Sequence, residues 1–347
     1  EMVRSDWSSD VCSSDLQSLL EATGRKLPEG TTSFLRIDLG EFRLRWEQHT
    51  EFVAWTFMRP MRADELLTLS QGAPQAAATL APSAWRQDLP GQCLTQVDLW
   101  AVPRAEVDGA AVVRQIFDAS TVTGSTVISN SCDLHTDMQM RGDGSIRMLV
   151  LVGESAPGKV SPRRLGRLVQ RLLDIETYRM AALMGLPAAR ESGAWLAEGE
   201  AELAALAQAV RQAAREDEAE LLDSLTRLAA ELEGRYAATH TRFSASAAYF
   251  NLVEQRLADI AETRILGMQS LHDFMQRRLA PAMATCSSAE QRQAALSQRI
   301  ERVSGLLRTR VEVEQQQSSR ELLATMNRRQ DLQLKLQSTV EIGRAHV

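Results

Sequence analysis

The chain has no CxxC pair, no HExxH helix, no glycine loop of the kind that cradles phosphate and no nucleophile elbow. Those absences remove the commonest signatures of zinc, nucleotide and serine-hydrolase chemistry. No apolar run approaches the ~18–20 residues that cross a bilayer. Charge of neither sign dominates: 39 Lys and Arg stand against 45 Asp and Glu, a formal net charge of −6. A mildly acidic, well-mixed chain lacks the footprint of a bulk nucleic-acid binder, and no nucleic-acid partner is expected. Cysteine is scarce. Cys12, Cys93, Cys132 and Cys286 are widely spaced, form neither a zinc nor a redox motif, and fit a reducing compartment. What the chain does have is length: 347 residues, enough for roughly two ordinary domains with a sizeable core.

Both ends depart from protein-like sequence. Asp6–Leu16 (DWSSDVCSSDL) resembles the translation of a short-read sequencing adapter, and Glu1–Ser5 fits the bases before it. Ile342–Val347 (IGRAHV) resembles the opposite adapter. Segments of foreign origin are set aside before fold reasoning. On this reading residues 1–16 and 342–347 are not native, and Cys93, Cys132 and Cys286 are the native thiols. The native chain then runs from Gln17 to Val340 or Glu341 with both true termini missing. The lack of a membrane span or signal peptide carries little weight, because either would lie in the missing ends.

The pattern predicts an α+β fold, with a mixed or antiparallel sheet domain over 17–160 followed by helices. Phe34–Leu39, Phe42–Thr50, Phe52–Phe57, Leu94–Val102, Thr121–Ser129 and Ile146–Val152 carry the β-branched and aromatic residues of half-buried strands. Arg141–Gly144 reads as a hairpin turn, Ala63–Leu69 and Ala110–Phe117 as short helices, and Gly72–Pro90 as an exposed connection. Ser161-Pro162 opens a helical domain over 161–286, an N-cap followed by proline at the first helical position. Leu165, Leu168, Val169, Leu172 and Ile175 stripe its first helix, and Gly185-Leu186-Pro187 ends it. Gly234 is read as loosening or ending a later helix, and another runs from Phe243 to Leu279 and stops at Pro281. Ser287–Glu290 reads as a capping box that starts a long last helix over 287–341. In it Leu296, Ile300, Val303 and Leu307 follow coiled-coil spacing, and Arg310, Glu314 and Gln317 break the heptad.

Two rows of side chains could carry chemistry. The two-residue period of a strand aligns Glu47, His49 and Glu51, and likewise Asp133, His135 and Asp137. Imidazole between carboxylates can hold a divalent metal or move protons. A plain polar sheet face, with Arg45 neutralising a glutamate, is the simpler reading. No metal set and no cofactor is assigned. Glu176, Tyr178 and Arg179 read as an interhelical polar network, and Tyr249 and Phe250 beside Ser244–Ala248 as close helix packing. Arg277 and Arg278 read as a solvated helix end. Arg320, Arg328, Arg329 and Lys335 read as a solvated face that also suits a juxtamembrane position.

Several segments together resemble a known family. They are Arg45–Phe52 (RWEQHTEF), Arg167–Arg190 (RLVQRLLDIETYRMAALMGLPAAR), Phe274–Cys286 (FMQRRLAPAMATC), Leu306–Glu312 (LLRTRVE) and Met326–Glu341 (MNRRQDLQLKLQSTVE). In this order they resemble the bacterial membrane-anchored proteins known as domain of unknown function 3422. The resemblance implies a preceding segment with a His-Ala-Arg-Pro-Pro motif and, after Glu341, hydrophobic sequence that enters a membrane. It assigns no catalytic residue. The expectation is therefore a protein anchored in the bacterial inner membrane through a C-terminal segment, its soluble part cytoplasmic. It would act as a scaffold or interaction module, self-associating through the last helix. The alternative is a metal-dependent or hydrolase-like enzyme using Glu47, His49, Glu51, His135 or Asp137, which gains if the two rows converge within a cleft and fails if they point separately to solvent.

Overall fold

The computed structural model describes residues 2–5, 9–28, 33–49, 51–69, 71–155 and 158–344. Contacts divide the chain into two units, Glu1–Leu186 with Ser244–Cys286, and Pro187–Phe243 with Ser287–Val347.

The first unit is α+β. In chain order it contains β1 (Met2–Ser5), α1 (Ser9–Ala22), β2 (Phe34–Asp38), β3 (Arg43–Gln48), β4 (Phe52–Met58), α2 (Ala63–Thr68) and α3 (Ser83–Asp88). Then come β5 (Cys93–Pro103), α4 (Gly109–Ile116), β6 (Thr123–Val127), β7 (Cys132–Thr136), β8 (Ser145–Val152) and a two-strand ribbon of β9 (Glu154–Ser155) and β10 (Gly158–Lys159). Helix α5 (Pro162–Leu183) follows. Nine strands form one sheet in the order β11-β6-β7-β8-β5-β1-β4-β3-β2, where β11 is Thr263–Arg264. The sheet is mixed: β5 and β8 run parallel and the other pairs are antiparallel.

Both faces of the sheet are covered, so β4 reads FVAWTFM with every residue but the last buried. On one face Leu16, Leu19 and Leu20 of α1 pack with Leu44, Trp46, Trp55 and Phe57. Trp46 and Trp55 are a cross-strand pair with ring centroids 6.3 Å apart, edge to face. Further along that face Val112 and Ile116 of α4 cover Trp100, Leu149 and Leu151. The opposite face carries α5, where Ala181 meets Phe52 and Ala54.

Local chemistry explains the boundaries. The Ser161 hydroxyl accepts the Arg164 N–H at the start of α5, and the Asp108 carboxylate accepts the Ala111 N–H at the start of α4. The Arg141–Gly144 turn forms as the sequence predicts, between β7 and β8. Its Gly144 at φ +81° is a conformation that glycine adopts without a Cβ clash. The stretch Gly72–Pro90 is not an exposed connection. It holds a 3-10 turn (Ala77–Leu80) and α3, buries Ala78, Ala81 and Leu89, and seats Trp85 against Trp55 at 4.9 Å. Its small residues are there because they lie close against the sheet.

The second unit is helical. It contains α6 (Leu186–Gln212), the first part of α7 (Glu218–Ile260) and most of α9 (Ala280–Arg344). Leu196, Leu203, Leu225, Leu228, Leu232, Leu296, Ile300 and Leu307 make its core. The seam loses its apolar pattern at Arg310 for a local reason. The Arg310 guanidinium donates to the carbonyls of Val210 and Ala213 at the end of α6, at 3.1 and 2.8 Å, and pairs with Glu218 at 2.8 Å. It thereby satisfies carbonyls that the end of α6 leaves without intrahelical donors.

Two helix boundaries differ from the expectation. Helix α7 runs through Gly234 to Ile260, then breaks at Ala261, whose φ is +46°, and the chain pairs with the sheet as β11 before α8 (Leu271–Arg278). Helix α9 begins at Ala280, with Pro281 in its first turn, where the lost N–H is no cost. Ser287–Glu290 therefore lies inside α9 and caps nothing.

Candidate functional site

The first carboxylate–histidine row is a hairpin rather than one strand. Strand β3 stops at Gln48, the His49 N–H donates to the Phe52 carbonyl at 2.9 Å, and Glu51 precedes β4. Thr50 lies outside the described residues. The turn delivers the row to the face that α5 and the Ser244–Ile260 part of α7 cover. His49 stacks on Phe52 at 4.4 Å, Phe52 meets Tyr249 at 6.0 Å, and Tyr249 stacks on Tyr178 at 5.8 Å.

Polar groups surround this aromatic file. Glu47 pairs with Arg45 at 2.6 Å, as the sequence suggested. Asp174 accepts from Arg256 at 2.9 Å and from Gln170 at 2.7 Å. Burial pushes the Tyr249 phenol well above its usual range, and its hydrogen bond to Glu51 adds to the effect. Burial also raises Tyr178, with Asp174 adding to it and Arg256 opposing it. His49 is pushed down by burial, against the pull of Glu47 and Asp174. The carboxylates of this cluster have donors facing them, so it is a self-satisfied network. Asp174 and Arg256 were not singled out from the sequence. The spacing of Gln170, Asp174 and Tyr178, one helix turn apart each time, is the signal that could have found the first.

The second row lies elsewhere. Asp133 on β7 pairs with Arg104 at 2.5 Å. Asp137, just past the strand, is fully buried against the guanidinium of Arg141 and accepts the Gln139 N–H at 3.2 Å. His135 sits between them, opposite Gly124 on β6 and Leu149 on β8. A Cβ at Gly124 would come within 3.1 Å of the His135 Nδ1 and 2.7 Å of the Met268 sulfur, so glycine makes room for the imidazole. Burial lowers the His135 pKa, and its buried Nδ1 has no hydrogen-bond partner.

The two rows do not meet. Glu47 shares a face with Ala54, which packs toward α5, whereas His135 shares a face with Leu149, which packs toward α4. Strands β8, β5, β1 and β4 stand between β7 and β3. At about 4.8 Å per strand the rows are on the order of 24 Å apart. Among the described residues, no three His, Cys, Asp or Glu side chains are grouped to hold a metal ion.

The Glu176, Tyr178 and Arg179 group splits in two. Tyr178 does face another helix, through Tyr249. Glu176 and Arg179 turn instead to the sheet. The Arg179 Nε and Nη2 donate to the two carboxylate oxygens of Glu176 at 2.7 Å each, and the Thr95 hydroxyl on β5 donates to the same carboxylate at 3.1 Å. Glu176 is 0% exposed. Arg277 donates to Gln269 at 2.8 Å, and Arg320, Arg328 and Arg329 are exposed on α9.

Comparison with curated proteins gives no match, and comparison with solved structures gives none either. A family model does match, over residues 3–342, which is nearly the whole chain, and its description is "Protein of unknown function (DUF3422)". The chain belongs to that family.

Proposed function

We propose that the protein is an interaction module whose last helix, α9, binds a second copy of the chain. One observation carries this reading. Leu322, Leu323, Met326, Leu332 and Leu334 of α9 are each 60–63% exposed, a concentration of large apolar side chains on solvent. At 100° per residue, Leu322, Met326 and Leu332 fall within about a third of the helix circumference. An apolar stripe of that width on an exposed helix buries itself by helix–helix pairing. The partial heptad from Leu296 to Leu307 is already used inside the second unit, so the stripe beyond it is what remains for a partner.

The alternative enzyme reading gains where Glu47, His49 and Glu51 share a cleft with His135 and Asp137. Their placement on opposite faces of the sheet leaves that reading without a joint site.

We further propose that α9 leads toward the bacterial inner membrane from the cytoplasmic side. The family resemblance and the basic residues Arg320, Arg328, Arg329 and Lys335 support this. No helix among the described residues is long and apolar enough to cross a membrane. A reporter that is active only in the periplasm, fused to the sheet unit in a bacterium, is expected to stay silent; activity overturns the cytoplasmic placement.

Self-association is tested by light scattering after size exclusion, comparing the unaltered chain with the Leu322→Glu, Met326→Glu double variant. The expected result is a multimer that the double variant converts to monomer with an unchanged circular dichroism spectrum, since both side chains are exposed in the single chain. A multimer that the double variant leaves intact refutes the assignment to α9.

A further inference from the structure

His135 shares no cleft with the other row, yet it is only 7% exposed and its Nδ1 is buried without a hydrogen-bond partner. A buried polar atom of this kind calls for a physical reason. The segment that covers it supplies one. After Ala261 the chain lays β11 along β6, pairing Thr263 with Thr126 and Arg264 with Ser125, and then turns through Gly267 at φ +83°. The Gln269 carbonyl accepts the Gly124 N–H at 2.9 Å. The Ser125 hydroxyl donates to the Glu262 carboxylate at 2.7 Å and accepts the Leu271 N–H at 3.4 Å. These bonds fasten the segment on both sides of Met268 and set its thioether against Gly124, on the side where the imidazole lies.

Two lone-pair donors therefore face one small space. A Cβ at Gly124 would stand 2.7 Å from the Met268 Sδ and 3.1 Å from the His135 Nδ1, so glycine keeps that space clear between them. The thioether has no hydrogen to give, and a neutral imidazole with its N–H on Nε2 presents a bare lone pair at Nδ1. No hydrogen bond joins the two. What two such acceptors can share is a cation. A thioether selects soft ions such as Cu(I), and imidazole also suits copper. Zinc takes three or four protein ligands, and among the described residues no group of three His, Cys, Asp or Glu includes His135. Nitrogen and sulfur ligands stand about 2.0–2.3 Å from a first-row ion, and the three rotatable bonds of methionine let the sulfur close the remaining difference. Besides burial, the charges acting on the ring are Asp133 and Arg104, which oppose each other.

We propose that the His135 Nδ1 and the Met268 Sδ form a binding site for one soft monovalent metal ion, Cu(I), seated beside Gly124. The bound ion ties β7 to the segment between β11 and α8. Alanine at position 124 would put its methyl group where the ion sits.

The test adds Cu(I), as its acetonitrile complex without oxygen, to the full chain carrying carbon-13 in its methionine methyl groups and nitrogen-15 in its histidine rings. Nuclear magnetic resonance reads both ligands separately from the thiols of Cys93, Cys132 and Cys286. The expected result is that the Met268 methyl and the His135 Nδ1 signals shift together and saturate, and that Zn(II) moves neither. Met268→Leu keeps the side-chain volume, so the fold is retained, and it is expected to weaken the His135 response at least about tenfold, one lost ligand's worth of affinity. Gly124→Ala is expected to do the same by filling the space. A His135 shift of full affinity in Met268→Leu overturns the site, as does the absence of any shift at His135 and Met268 in excess Cu(I). Equal response to Zn(II) overturns the choice of a soft ion.

Discussion

The buried pair of Glu176 and Arg179 offers a demanding check of how α5 is held on the sheet. Replacing Arg179 by leucine removes two charge-assisted hydrogen bonds of 2.7 Å and leaves a carboxylate with 0% exposure beside a single neutral donor, Thr95. Hydrogen bonds to charged groups contribute about 1.5–3 kcal/mol each, and removing one partner of a buried pair costs about 3–5 kcal/mol. The first estimate doubled overlaps the second, so a loss of about 4 kcal/mol is expected. For a unit of this size that lowers the melting temperature by on the order of 10 °C. The Glu176→Leu, Arg179→Leu double variant removes both charges and is expected to recover most of the loss, because an apolar pair of similar volume is often neutral. Urea unfolding followed by circular dichroism measures both, with the slope unchanged if only stability moves. A loss below about 1 kcal/mol for Arg179→Leu, or a double variant as unstable as the single one, refutes the reasoning.

Further expectations concern acid, histidine and the ends of the chain. Arg59, reaching Glu65 through two hydrogen bonds of 2.6 and 2.7 Å, holds the Glu65 carboxyl down to about 2, with the Arg62 N–H assisting. A depressed carboxyl stabilises the fold above its unfolded value and loses that stabilisation as pH falls toward about 2. Glu65→Gln should therefore remove roughly 2 kcal/mol at neutral pH and flatten the decline below pH ~4.5 in urea titrations; an unchanged acid profile counts against the pairing. His135 is lowered by burial, so the unfolded chain binds its proton first and stability falls as pH drops below about 6.5. His135→Asn should reduce that fall, and an identical pH profile contradicts the buried neutral imidazole. Resequencing the gene from genomic DNA is expected to replace Asp6–Leu16 and Ile342–Val347 with other residues. Recovery of both stretches unaltered refutes their origin in an adapter.

Much of the first unit was legible because its strands are local events. Phe52–Phe57 and Leu94–Val102 announce themselves by β-branched and aromatic residues, and the Arg141–Gly144 turn and Ser161 cap by residue types with a single local use. What was hidden depended on distant partners. The parallel pairing of β5 with β8 has no mark in either strand, and β11 is two residues long. The break after Ile260 rests on Ala261 at positive φ, where a glycine would have been visible. Around the first row, Glu47, His49 and Glu51 could be picked out, yet their surroundings come from Asp174, Tyr178, Tyr249 and Arg256, far along the chain. Strand periodicity failed there because β3 ends before His49. The heptad failure at Arg310 was legible as a fact, and its cause, the open end of α6, was not.

The central claim is that α9 brings two copies of the chain together. Sedimentation equilibrium of the unaltered chain over a wide concentration range measures this without a variant or a label. The account expects a mass that rises from one chain to a defined multiple of it as concentration increases, as a helix-mediated association requires. A mass that stays at 38.4 kDa, that of one chain, at every concentration contradicts it.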